Sequence, residues 1–164
     1  MKIDAVQQCF REINQPTWMA SVRLGTSKLP ESATASNPYQ LPKDYPAPRD
    51  VLRQHFPRTA KQCLFRGGWG YSIDDAVEVL EFDPEINPDQ RFDGVSLEYA
   101  FVDKRIREEL FHANAHRFDH LSWQVIEQSL HERDGVHYDR LLVEITADDE
   151  IYLTEYWFNI SDFY

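Results

Sequence analysis

A chain of 164 residues, 42% hydrophobic and 13% aromatic, is long and apolar enough to bury the core of one ordinary domain, which argues against disorder. Its formal net charge of −11 disfavours nucleic acid and membrane surfaces as partners. Cys9 and Cys63 stand outside any CxxC cluster, which argues against a disulfide scaffold or a zinc knuckle and leaves at most one bridge between them. The opening residues have no apolar leader, and no uncharged apolar run approaches the roughly eighteen residues of a membrane span, so the expected location is the cytoplasm.

The charge is divided unevenly. Residues 1–73 carry ten Lys/Arg against five Asp/Glu, and residues 74–164 carry seven against twenty-three. An acidic block of this size attracts basic protein and repels polyanions.

In chain order, Ile3, Val6, Phe10 and Ile13 recur at helical spacing until Pro16, which predicts a short amphipathic helix. A strand is expected over 17–24. Residues 25–57 then hold six of the nine prolines and read as a long loop, either wrapped over the core or free as a partner-binding arm, with a brief helix around 50–55.

A buried strand over 61–65 runs into Phe65-Arg66-Gly67-Gly68-Trp69-Gly70-Tyr71-Ser72, the most conspicuous motif of the chain. Three functional roles compete for it: a phosphate-cradling nest with Arg66, an aromatic platform for a ligand, or an aromatic anchor for a protein. A bulged turn whose Trp69 caps the core is the structural alternative. Neither a Walker loop nor a dinucleotide fingerprint is present. Ser72 followed by Asp74 and Asp75 suggests a helix start, leading through a short turn into a strand over 76–82. Between Asp74 and Glu98 nine acids meet one base, Arg91.

From Tyr99 the pattern is helical, with Tyr99, Val102, Ile106, Leu110 and Ala113 on one face and Asp103, Lys104, Arg107 and Glu108 on the other. His112, His116 and His120 follow at spacing four. They would form a transition-metal surface only if the helix continued, and a solvated His-rich helix end is the simpler account, so no metal and no other cofactor is expected. The last third reads as antiparallel sheet: 121–131 and 136–146 joined at Asp134-Gly135, then a turn at 147–150 and an aromatic strand over 151–160. A helix over 125–130 also fits the spacing.

The expected architecture is therefore α+β, a single domain over 1–164 with an antiparallel meander sheet, helices packed on one face and a long Pro-rich N-terminal loop. Nucleophile elbows and kinase-like sets are absent from the sequence, and its acids are too numerous to assign to general acid–base roles, so an enzyme is the less favoured reading.

The Phe65–Ser72 motif with Asp74-Asp75-Ala76 resembles a motif in small uncharacterised bacterial proteins of polymorphic-toxin neighbourhoods. The resemblance covers about a dozen residues and implies an immunity-like inhibitor that masks a toxin surface. On this reading the partner is a basic toxin or nuclease, Trp69, Tyr152 and Tyr156 are aromatic anchors, and Asp74, Asp75, Asp148, Asp149 and Glu150 steer the encounter. Two other readings stand beside it: a small enzyme or ligand-binding protein using the Arg66–Tyr71 loop, and a homo-oligomeric structural protein, a homodimer at its simplest, whose C-terminal aromatic strand pairs with its copy across a two-fold axis.

Overall fold

A computed structural model describes residues 36–55, 64–80, 94–113 and 119–164. The helix expected over 3–13 and the strand over 17–24 lie outside these residues. Among the described residues two helices, α1 (Pro48–His55) and α2 (Gly94–His112), accompany five strands: β1 (Phe65–Gly67), β2 (Val77–Val79), β3 (Leu121–Arg133), β4 (Val136–Ala147) and β5 (Glu150–Asn159). Short 3-10 turns at Ile73–Asp75 and Ser161–Phe163 complete the set.

The strands form one sheet in the order β1-β2-β5-β4-β3. The meander holds for β3, β4 and β5, which are long and antiparallel. The sheet as a whole is mixed, because β2 runs parallel to β5. A parallel neighbour cannot follow through a tight turn, so β2 is delivered from far upstream in the chain. Asp134 and Gly135 adopt φ of 56° and 77°, the pair of left-handed residues that a two-residue hairpin needs. Residues 125–130, whose spacing also fits a helix, lie in β3 and pair with β4.

Alternation along β5 turns Tyr152, Thr154, Tyr156 and Phe158 inward and Ile151, Leu153, Glu155 and Trp157 outward. The inward set meets Leu141, Val143 and Ile145 of β4 and Val77 and Val79 of β2. Over this face lie Leu97, Phe101, Val102, Ile106 and Leu110 of α2, with Val51 and Leu52 of α1 in the same continuous core. Phe101 sits in the middle, 5.1 Å from the Phe65 ring, 5.9 Å from Trp69 and 5.8 Å from Phe158.

The Pro-rich stretch, where described, is a strap. Ser36 makes a parallel bridge to Leu153, and Asn37 Nδ2 donates to Thr154 Oγ1 at 3.4 Å. The Leu41 amide then donates to the Tyr71 hydroxyl at 2.9 Å. Tyr39 and Tyr45 donate their hydroxyls to Glu150 and Glu108. The first half of the chain thus reaches acids of the second half through tyrosine hydroxyls. Burial, reinforced by the Glu108 carboxylate, pushes the Tyr45 hydroxyl up to about 12.

Candidate functional site

The glycine-rich motif is a closed turn. Gly68 N–H donates to Ala76 O at 3.2 Å, Gly70 N–H to Asp75 O at 2.7 Å and Tyr71 N–H to Asp75 Oδ2 at 3.3 Å. The donors that a phosphate nest would offer are thus turned onto the chain's own Asp75–Ala76 segment. Asp75 is thereby a framework residue rather than a steering charge. Its carboxylate accepts the Tyr71 amide, while the Ser72 side chain caps nothing. Trp69 is 6% exposed and its indole donates to Pro46 O at 2.9 Å, so the ligand-platform role does not fit it. Arg66 is exposed on β1, opposite Glu78 of β2.

Gly70 carries the motif's backbone requirement. Its φ is +80°, and an added Cβ would stand 3.0 Å from Trp157 O, on the strand that Gly70 O itself binds through Trp157 N–H at 2.9 Å. Gly70→Ala is expected to cost about 2–3 kcal/mol, combining left-handed strain with displacement of β5. A urea midpoint lowered at unchanged m-value checks this, and an unchanged midpoint would contradict it.

The aromatic anchors expected from sequence are core residues. Tyr152 and Tyr156 are 1% and 0% exposed, and together with Trp69 they surround a buried ion pair that periodicity did not reveal. Arg105 and Glu109, one turn apart on α2, are both fully buried with Nε to Oε1 at 3.2 Å. Arg105 Nη1 donates to Trp69 O at 3.0 Å, and Nη2 donates to Thr154 Oγ1 at 2.7 Å and Glu155 O at 2.9 Å. Its guanidinium lies 3.4 Å from the Tyr156 ring centroid and 4.3 Å from that of Tyr71. Burial pushes the Glu109 carboxyl up, opposed by the Arg105 charge and by the Tyr71 hydroxyl, which donates to Oε1 at 2.5 Å. Burial likewise raises the Tyr71, Tyr152 and Tyr156 hydroxyls, so none of them ionises near neutral pH. Sealed from solvent, the cluster ties α2, the motif and β5 together, and it leaves Arg105 Nε, Glu109 Oε2 and the Tyr152 and Tyr156 hydroxyls without a hydrogen-bond partner among the described residues.

The steering acids divide between two ends of the sheet. Asp74 is exposed beside the β3–β4 hairpin, where Arg133 donates to it at 2.7 Å. Asp148, Asp149 and Glu150 are exposed at the β4–β5 turn, a strand's length or roughly 35 Å away. Asp148 has work within the fold: at φ 51° its Oδ1 accepts the amides of Asp119 and His120 at 3.0 and 2.9 Å, clipping the turn to the start of β3. Asp149 is bound to nothing among the described residues. Helix α2 ends at His112 and His120 runs into β3, so these two do not share a helix, and His116 lies outside the described residues.

The sheet face away from α2 holds the groups that sequence reasoning left out. On it Arg140 bridges Glu127 at 2.7 Å and Glu155 at 2.5 Å, and Trp157 donates its indole to Glu155 at 3.0 Å. The hydrogen bond from Arg140 holds the Glu155 carboxyl below the usual carboxylate range. Toward the β4–β5 turn the same face carries Glu144, Leu153 and Ile151, the last 42% exposed. Cross-strand register shows this grouping, and it could have been read only once the pairing was known. None of the described helices is long and apolar enough to cross a membrane. Compared with protein-family models, curated proteins and solved structures, the chain has no match.

Proposed function

We propose that the protein is a cytoplasmic acidic binding protein that docks a basic protein through the open sheet face at the β4–β5 turn, as an immunity-type inhibitor masking a basic toxin or nuclease would. The observation that carries this reading is the charge state of residues 119–164. Eleven acids there face two bases, and both bases, Arg133 and Arg140, are already engaged by carboxylates. The surplus is uniformly negative and therefore selects a positive partner. Exposed Ile151 with half-buried Leu153 supplies the apolar centre, and Glu144, Asp149 and Glu150 form its charged rim.

The test begins with co-purification of the protein with the basic product of a neighbouring gene. Asp149→Lys is expected to slow association with that product by about threefold to tenfold at low salt, and the effect should fade as salt screens it. Glu132→Lys, at the far end of β3, serves as the positional control and should change the rate by less. Equal effects at both ends would show that charge acts without a docking site, and no effect at either would refute the electrostatic reading. Asp148 is unsuitable for such reversal because its carboxylate holds the turn.

A further inference from the structure

The two outer strands of the sheet are β1, three residues long, and β3, thirteen residues long. The aromatic strand β5 is paired with β4 along one side and, on the other, with β2 at Phe158 and Asn159 and with Ser36 at Leu153, so its second side is already partly taken. The strand available for pairing is β3. Among the described residues nothing pairs with its outer edge.

A register shift between Val125 and Glu127 divides β3, leaving Glu127 to Arg133 as an uninterrupted ladder against β4. Bulges and charges commonly protect long edges from unwanted pairing. Here the charges are arranged differently. If this segment pairs antiparallel with itself about Leu130, Glu127 falls opposite the second copy's Arg133, Gln128 opposite its Glu132 and Ser129 opposite its His131. Residues directly opposite share a sheet face, so each Glu127–Arg133 contact brings opposite charges together, and the two-fold repeats it. Leu130 meets Leu130 on the axis. That side chain is 56% exposed in the monomer, a large apolar group placed midway along the otherwise polar 127–133 segment.

We propose that the chain forms a homodimer by antiparallel pairing of β3 with β3 of a second copy, centred on Leu130. The two sheets then continue into one of ten strands. Glu127 and Arg133 are exposed in their intrachain pairs with Arg140 and Asp74, so each can accept a second partner at small cost. The interface lies toward the β3–β4 hairpin, away from the β4–β5 turn, so it stands or falls independently of the docking surface proposed above.

Sedimentation equilibrium of the unmodified protein should show a monomer–dimer equilibrium, and Leu130→Lys should weaken dimerisation by about tenfold or more without changing the circular dichroism of the monomer. Position is tested by disulfide trapping in a Cys9→Ser, Cys63→Ser background. Directly opposed residues of an antiparallel pair have Cα atoms about 4.5–5.5 Å apart, within disulfide reach, so Leu130→Cys should oxidise to a covalent dimer. Gln124→Cys, six residues from the axis, should not. A protein that sediments as a monomer up to its solubility limit overturns the proposal. So does a dimer whose dissociation constant is unmoved by Leu130→Lys, or trapping that is equally efficient from position 124.

Discussion

Arg105→Ala is expected to destabilise the protein by about 3–5 kcal/mol, a large share of the 5–15 kcal/mol that holds a typical domain folded. The substitution leaves the buried Glu109 carboxylate without its cation, and it strips the Trp69 and Glu155 carbonyls of their donors. It also opens space beneath the Tyr156 ring. Most of the loss is the cost of an uncompensated buried charge rather than the net worth of the pair. The double variant Arg105→Met, Glu109→Leu should therefore recover much of it. Urea titrations of wild type, single and double variants measure both quantities. A single-variant loss below about 1 kcal/mol would remove Arg105 from its place as the tie between α2 and the sheet.

Phe101→Ala is expected to cost about 3–5 kcal/mol, the range for deleting a fully buried aromatic side chain. Phe101 is 0% exposed, and its ring stands between Phe65, Trp69 and Phe158. The cavity would adjoin strands β1 and β5 and the motif turn at once, elements whose backbones are fixed by sheet pairing and cannot close in. Thermal unfolding followed by near-ultraviolet dichroism reports it through the loss of Trp69 packing. Phe101 and Arg105 are one helical turn apart and share Trp69 as a neighbour, so their combined effect should depart from the sum of the two.

How much could be read in advance follows from which signals are local. The hairpin at Asp134-Gly135 and the turn before β5 were legible because turn residues and alternation act over a few positions. Helix α2 was legible from its apolar spacing and begins five residues before Tyr99. Its interior was not, because a polar–apolar pattern assigns Arg105 and Glu109 to solvent. Both stand in phase with Phe101 and Val102, and that phase was the available signal. The inward face of β5 was undecidable for the opposite reason: Ile151, Leu153 and Trp157 on one side are as apolar as Tyr152, Tyr156 and Phe158 on the other. Choosing the tyrosines as anchors took the buried side for the exposed one. The parallel pairing of β2 with β5 had no local signature at all.

That pairing bears on how the chain acquires its shape during synthesis. Val77 lies opposite Phe158, so β1 and β2 have no sheet to join until β5 has been made and has left the ribosome. Contacts so distant in sequence close late and slowly. Until then the short β1–β2 ribbon, the glycine turn that rests on Trp157, and the inward side of α2 are all exposed. The nascent protein therefore depends on protection from premature association until β5 has been made and paired.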